Sequence, residues 1–507
     1  MCSKRFASSI SSIVARNAAI NEVGNFWMKP TVSVTKMLRP EGKSIRRVIG
    51  SNVEKSLFCV MRFAPVRAFR SVLFPAFVYP TKDTLYLLIL ILMFHNILFS
   101  QNVIDNYVHI GNSTIIRGSS SDGLKVPRDL DFHRDPNRDG ELWVINETSA
   151  VFDDSNGGST VTFYNAGSDS QWAEYRKDSF SAHFMHTASA IAFSDNGGFA
   201  NTLDVQDANN TPGGYFSGST LWDSDTSIYA RIHQNGPELG SHWDMVHQSP
   251  YSIGIAGQTD NIYWIFDGFH QTIVKYDFQD PHPDSEHGGE DHSDGIVYRY
   301  DEVNVNRVPG LSSHMDIDEA TGLLYFCDTG NQRVLRLNTS SGFIDETLIP
   351  YGENLAGYYS MSGAEFETII TDSLNQPTGI DVHENRLLIS DFATGDIIIY
   401  NIETDEVYEI GRIKTDLTNE VMSVKVGPDN SIWYVCTNLN ELHQIVGLLM
   451  GDINSDNLLS LSDVLLLVNH LMGSYVIEQD NQNSADINFD GVIDIFDLTH
   501  VCDLING

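Results

Sequence analysis

The chain has 507 residues, with 31 Lys and Arg against 67 Asp and Glu, a net charge of −36, 42% hydrophobic and 19% charged side chains. That balance excludes a disordered chain, a collagen and a disulfide-stapled miniprotein, and the length calls for more than one core. The charge is unevenly spread: residues 1–82 hold 14 basic and 3 acidic side chains, residues 83–507 hold 17 and 64. So acidic a body repels phosphate backbones, which excludes nucleic acid as its partner.

Residues 1–83 read as a basic N-terminal extension, either disordered or lying upstream of the true start, for which Met61 is the candidate. Residues 84–100 follow with the run LYLLILILMFHNILF from Leu85, apolar except for His95 and Asn96. This is short of the roughly 20 residues a span needs and has the usual length of a signal-peptide core, so cleavage is expected near residues 100–101. The basic flank also fits a short anchor held inside, in which case this segment alone would contact a membrane. On either reading the acidic body is secreted or at the cell surface. Beyond this point only Cys327, Cys436 and Cys502 occur, which make neither a disulfide framework nor a zinc pattern.

Residues 102–447 consist of short β runs separated by Gly, Asn and Asp, with almost no helical periodicity. Three beats recur: QPTGIDV from Gln376, RLLISD from Arg386 and DIIIY from Asp396; then SHMDID from Ser313, LLYFCD from Leu323 and RVLRL from Arg333. Further copies start at Val126, His186, Pro250 and Val421, making six units. Three- or four-stranded repeats that cannot bury both faces alone are the signature of propeller blades. The turns DTGNQRV from Asp328 and SDFATGD from Ser390 resemble the NHL-repeat family. That resemblance, over residues 124–446, implies a six-bladed β-propeller. The last unit shows only three runs, so residues 106–110 or 113–116 are expected to supply its fourth strand and close the ring.

In such blades the first-strand starts and the second-to-third turns share one face. This collects His186, Tyr251, Asp267, His270, His314, Asp328 and Asp391 at one channel mouth, as candidates for holding a further divalent metal or polarising a substrate. Some propellers of this resemblance are lyases with zinc-bound histidines or lactonases with a bound divalent ion. The same residue types at these positions also cap strands and bridge blades. A second cluster, His282, Asp284, His287, Glu290, Asp291, His292 and Asp294, falls in an insertion on the opposite face, where a solvated acidic loop is the default reading. No nucleophile elbow, Ser-His-Asp order or glycosidase carboxylate pair is assignable.

At the C-terminus, residues 451–507, oxygen side chains alternate in Asp452, Asn454, Asp456, Ser460 and Asp463, with the Leu458 carbonyl at loop position 7. The pattern returns as Asp486, Asn488, Asp490, Val492, Asp494 and Asp497. A hard dication needing six to eight oxygens requires this alternation, and two copies in register, each followed by an apolar helical run, predict two calcium ions. The duplicated loop-helix resembles the type I dockerin family, which implies docking onto a cohesin. Positions 10 and 11, which help choose the partner in that family, are Leu461-Ser462 and Ile495-Phe496, and Asn457 replaces the usual Gly at position 6. With so small a core the module is expected to be unfolded without its ions.

The fold class expected is therefore mainly β, a six-bladed β-propeller with a small α-helical, EF-hand-like dockerin module. Two functions are open at this point. One is a recognition or scaffold propeller, binding glycan or protein and tethered to an extracellular assembly by the calcium module. The other is an extracellular enzyme, a metal-dependent lyase, lactonase or polysaccharide-degrading activity, with its site at the channel mouth.

Overall fold

Turn chemistry converts each repeat into a sheet. Strand Pro377–His383 pairs with Arg386–Asp391 so that His383 faces Arg386, leaving Glu384 and Asn385 as a two-residue turn with φ of 44° and 66°. These left-handed values match the twist of the strands that the turn joins. The next turn returns at Gly395, φ 76°, whose N–H bonds to the Asp391 carbonyl at 2.8 Å, and strands Asp396–Asn401 and Tyr408–Lys414 complete an antiparallel sheet of four.

The computed structural model describes residues 102–109, 111–148, 157–231, 240–280, 293–404, 406–447, 450–454, 459–478, 481–488 and 490–506. The basic extension, the apolar segment 84–100, most of the His/Asp insertion, Asp456 and Leu458 lie outside the described residues.

Six sheets follow one another around the ring, and in the first five the innermost strand comes first along the chain. Blade 1 comprises Pro127–Phe132, Leu142–Asn146, Ser159–Tyr164 and Trp172–Arg176, and blade 2 comprises Ala188–Phe193, Gly198–Leu203, Ser219–Asp223 and His242–Val246. Blade 3 is Ser252–Gly257, Ile262–Asp267, Thr272–Asp277 and Ile296–Tyr300; blade 4 is Met315–Asp318, Leu323–Asp328, Arg333–Asn338 and Phe366–Ile370. Blade 5 is the sheet just described. Blade 6 holds Val421–Val426, Ile432–Cys436 and Glu441–Gly447, and its outer strand is Asn112–Gly118, paired antiparallel from Asn112↔Gly447 to Gly118↔Leu442. The second of the two segments expected to close the ring thus does so.

Strand alternation makes every sheet two-faced, and the apolar side chains fill six clusters, one between each pair of neighbouring sheets. In the second strand of blade 1, Leu142 and Val144 enter the cluster shared with blade 6, whereas Trp143 and Ile145 enter the one shared with blade 2. Because sheet 6 packs on sheet 1, the ring is closed and the fold is a six-bladed propeller. Cys327 and Cys436 are buried in it as free thiols.

One element was not legible in the repeats. The hairpin Phe343–Thr347 and Gly357–Ser362, inserted before the outer strand of blade 4, joins blade 3 instead, with Ile296↔Gly357 starting a parallel pairing that extends that sheet to six strands.

The C-terminal module has a core of its own. Ile453, Leu467, Ile477, Ala485, Ile487 and Val501 are buried between helices α1 (Leu461–Leu471) and α2 (Ile495–Asn506) and the loops that precede them. Ile453 and Ile487 occupy the same loop position in the two copies, and Leu467 and Val501 the same helical position, so the sequence duplication is also a duplication of core sites.

Candidate functional site

The channel is built from the inner strands. Six equivalent positions, each opposite the corresponding position of the second strand, carry Asp131, Ala192, Ala256, Asp316, Asp381 and Lys425. The aspartates act as latches between blades: Asp131 accepts the Phe193 N–H at 2.8 Å, Asp316 the Val382 N–H at 2.7 Å and Asp381 the Val426 N–H at 3.0 Å. Lys425 Nζ lies 3.2 Å from Asp316 and 3.0 Å from Asp381. Burial lowers and the three surrounding carboxylates raise the Lys425 pKa, with the net effect upward, so it stays charged. One ammonium serves two buried carboxylates, and burial pushes Asp381 up to about 7.

Ionising Asp381 is harder in the ring than in the unfolded chain, so the stability it contributes is complete below about pH 4 and is lost as pH rises toward 7. Asp381→Asn is therefore expected to flatten the fall in propeller melting temperature between about pH 4.5 and 7. Tryptophan fluorescence reads this selectively, because six of the seven tryptophans lie in the blades and none in residues 451–507. Parallel pH profiles for the two proteins would contradict it.

Blades 1 and 4 stand opposite each other, and several contacts cross the channel between them, one of them from His314 Nε2 to the Arg128 carbonyl at 3.1 Å. The Arg128 guanidinium donates to Ser312 Oγ at 3.2 and 3.3 Å, and His314 Nδ1 lies 3.2 Å from Asp129 Oδ2. Burial pushes the Asp129 carboxyl up, but the His314 ring and the hydrogen bonds from Ser423 and the Ile191 N–H outweigh it and hold the carboxylate below its ordinary range. On one side of this crossing, Asp131, Arg134, Asp316 and Lys425 line a narrow cleft. On the other side, the connection 301–314 reaches over the mouth. Arg307 pairs with Asp204 at 3.1 Å, and Leu311 and Val308 join a cluster with Leu124, Phe392 and Met422.

The seven candidates from the sequence do share the face expected of them, but they do not gather into one site. Asp328 accepts the Asn306 N–H and the side chains of Asn331 and Arg333 within 2.8 Å, while Asp391 accepts the backbone N–H groups of Asn375, Gln376 and Thr394. Both are turn caps. His186 is buried with Nδ1 3.4 Å from the Ala208 carbonyl, and burial lowers its pKa. Tyr251 lies under the Arg307 guanidinium, 4.0 Å from its ring, and bonds to Gln206. His314 is the channel crossing. Among the described residues no group of three or more His, Cys, Asp or Glu is placed to hold a metal ion.

Two of the candidates are brought together. The buried Asp267 carboxylate lies 2.6 Å from His270 Nδ1, and His270 Nε2 lies 3.2 Å from the hydroxyl of Tyr351. Tyr351 comes from the inserted hairpin, and no repeat pattern pointed to it. Its only sequence signal was the aromatic-rich run around residues 351–359, with three tyrosines.

In the C-terminal module the described ligand candidates fall in two matching loops. Asp463 accepts the Ile453, Asn454 and Ser460 N–H groups at 2.9, 3.3 and 2.9 Å and forms a capping box with Ser460 at the start of α1. Asp497 accepts the Asn488 and Asp494 N–H groups at 3.3 and 2.7 Å. Asp486 accepts from Asp490 and Gly491, and Gly491 sits at φ 76° in the tight turn of position 6. Burial first, then the carboxylates of Asp486 and Asp494, push Asp497 up. A buried carboxylate crowded by two others, in an all-oxygen donor set, fits a hard dication, which would supply the charge the loop lacks.

Comparison with known proteins fits this geometry. Residues 450–506 match the family model of the Dockerin type I domain. The C-terminal module is thus of the type I dockerin class, whose members bind calcium, typically dock onto cohesins and occur in extracellular assemblies. No curated protein sequence matches the chain. Among solved structures, the described fold is similar to an auxiliary nutrient binding protein from Bacteroides ovatus at 10% identity, covering 64% of this chain and 69% of that one, TM-score 0.38. It is also similar to a luciferin-regenerating enzyme, 14%, 67% and 96%, TM-score 0.41, and to a streptogramin B lyase, 12%, 66% and 97%, TM-score 0.37. At these scores the likenesses carry no argument about activity, and the propeller rests on its own strand pairing.

Proposed function

We propose that this protein is a secreted or cell-surface recognition propeller, residues 102–447, fixed to an extracellular assembly by a dockerin module, residues 451–507, that is built around two calcium ions. The ions would be held by Asp452, Asn454, Asp456, the Leu458 carbonyl, Ser460 and Asp463, and by Asp486, Asn488, Asp490, the Val492 carbonyl, Asp494 and Asp497. The observation that carries the tethering role is the dockerin match together with what both copies leave in water. Leu461 and Ile495, the two position-10 residues, are 71% and 57% exposed, and Leu465 and Met472 extend the apolar stripe along α1. Apolar side chains in matching exposed positions support docking onto a protein partner of cohesin type. The crossed channel and the turn-capping acids favour binding over chemistry in the blades.

A second reading is favoured by one observation, the chain from Asp267 through His270 to the Tyr351 hydroxyl, since a carboxylate-oriented imidazole is a general acid-base arrangement. One assay separates the two. Incubated with soluble polysaccharides in calcium, the full chain is expected to release no reducing ends above background. Release that disappears in His270→Asn would overturn the recognition reading in favour of an enzyme.

A further inference from the structure

We propose that Tyr215, Phe269 and Tyr351 form a preorganised platform that stacks against the sugar rings of a neutral glycan. This deepens the recognition reading and rests on it. The three rings come from three different loops on one face of blades 2 and 3. Their centroids are 5.0 Å apart for Tyr215 and Phe269 and 6.5 Å apart for Tyr215 and Tyr351, with ring planes tilted by 54° and 37°, so they form a curved aromatic lining in which each ring offers its own face, and the residues are 43%, 37% and 36% exposed. Single exposed aromatics need no explanation, but three contiguous ones mark a contact surface.

The backbone that carries each ring is held by a buried polar side chain. Asp207 accepts the Asn209, Thr211 and Phe216 N–H groups and so fixes the loop that presents Tyr215. Asp267 accepts the Phe269 N–H at 3.0 Å. Gln248 clamps Tyr351 from both sides, accepting its N–H at 2.8 Å and donating to its carbonyl at 3.1 Å, and is itself tied to Glu353 at 2.6 Å. Exposed rings fixed in advance lose little freedom when a ligand arrives, which is how a weak stacking contact becomes a useful affinity.

The occupant follows from the chemistry of the rings and their rim. A pyranose presents C–H groups on its face and hydroxyls at its edge. It therefore matches an aromatic face bordered by hydroxyl groups, here those of Tyr215 and Tyr351. The acidic excess of residues 83–507, 64 acidic against 17 basic side chains, repels polyanions, so a neutral glycan is selected over an acidic one.

The test is affinity electrophoresis of the full chain, with calcium, through gels containing hydroxyethyl cellulose, xyloglucan, xylan or polygalacturonate. Retardation by at least one neutral polymer, none by polygalacturonate, and at least tenfold weaker association for Tyr215→Ala/Phe269→Ala at an unchanged melting temperature are the expected results. Absence of retardation by every neutral polymer, undiminished retardation of the double variant, or rings needed instead for capture of an immobilised protein would overturn the platform. The last outcome leaves the recognition reading standing, whereas ring-dependent cleavage of the glycan removes that reading and keeps the platform.

Discussion

Proline at Thr114 and Ile115 together is expected to lower the melting temperature of the propeller by more than about 10 °C. Alternate residues of an antiparallel strand donate to the ladder, so a proline at two successive positions of Asn112–Gly118 must remove at least one bond to Glu441–Gly447. The strand is the last part of a longer staple. Upstream of it, Ile104 and Tyr107 are buried in the cluster between blades 5 and 6, and the Tyr107 hydroxyl donates to the Asn430 carbonyl at 2.7 Å. Asp105 grips the Arg386 guanidinium of blade 5 at 2.6 and 2.8 Å. The chain then passes along blade 6 and on to Leu124 in the cluster shared by blades 6 and 1. Truncating Ile104 to Ala removes a fully buried side chain and is expected to cost about 2–5 kcal/mol. Faster hydrogen exchange in residues 441–447 of the double-proline variant would locate the damage at the closure. An unchanged melting temperature would mean that this strand does not hold the ring.

Asp463→Asn combined with Asp497→Asn is expected to reduce calcium binding by the full chain at least a hundredfold. Both residues are buried, close their loops by accepting two or more backbone N–H groups, and stand at the position that in such loops supplies the last carboxylate. The amide keeps the size and removes the charge, but each carboxylate accepts N–H groups on both oxygens, so the substitution also turns one acceptor into a donor facing a backbone N–H, and both changes weaken the loop. Because metal ligands must be deprotonated, affinity should also fall as pH drops, most steeply for the second loop, where Asp497 is pushed up by burial and by Asp486 and Asp494. Calorimetric titration of the chelator-treated protein measures this directly, and wild-type affinity in the double variant would remove these residues from the ligand set.

Much of this architecture was legible because it is periodic. Repeated beats such as RLLISD at Arg386 and LLYFCD at Leu323 became second strands of equivalent blades, and the shortfall in the last unit pointed to the closing strand. The dockerin-type module was legible for the same reason, since its alternating oxygen side chains are a local property of the chain. The hairpin of residues 343–362 was not, because it leaves its own blade and pairs with the previous one through contacts that no local pattern encodes. That the channel ring does not gather into one cluster was hidden for a related reason. Residue type and blade position place Asp328 and Asp391 on the right face, but only the turn geometry reveals that their oxygens are already engaged. His270 and Asp267 are near neighbours in the sequence and stand together in the fold, whereas Tyr351 is remote in sequence, brought to His270 by the irregular hairpin.

The central claim is that a calcium-built dockerin module hangs on a propeller that is stable without it. Limited proteolysis of the full chain with and without EGTA, followed by intact mass, tests this most directly. The account predicts a protease-resistant chain in calcium and, after chelation, selective loss of residues 451–507 with the blades intact. A C-terminal segment that stays equally resistant in EGTA would contradict it.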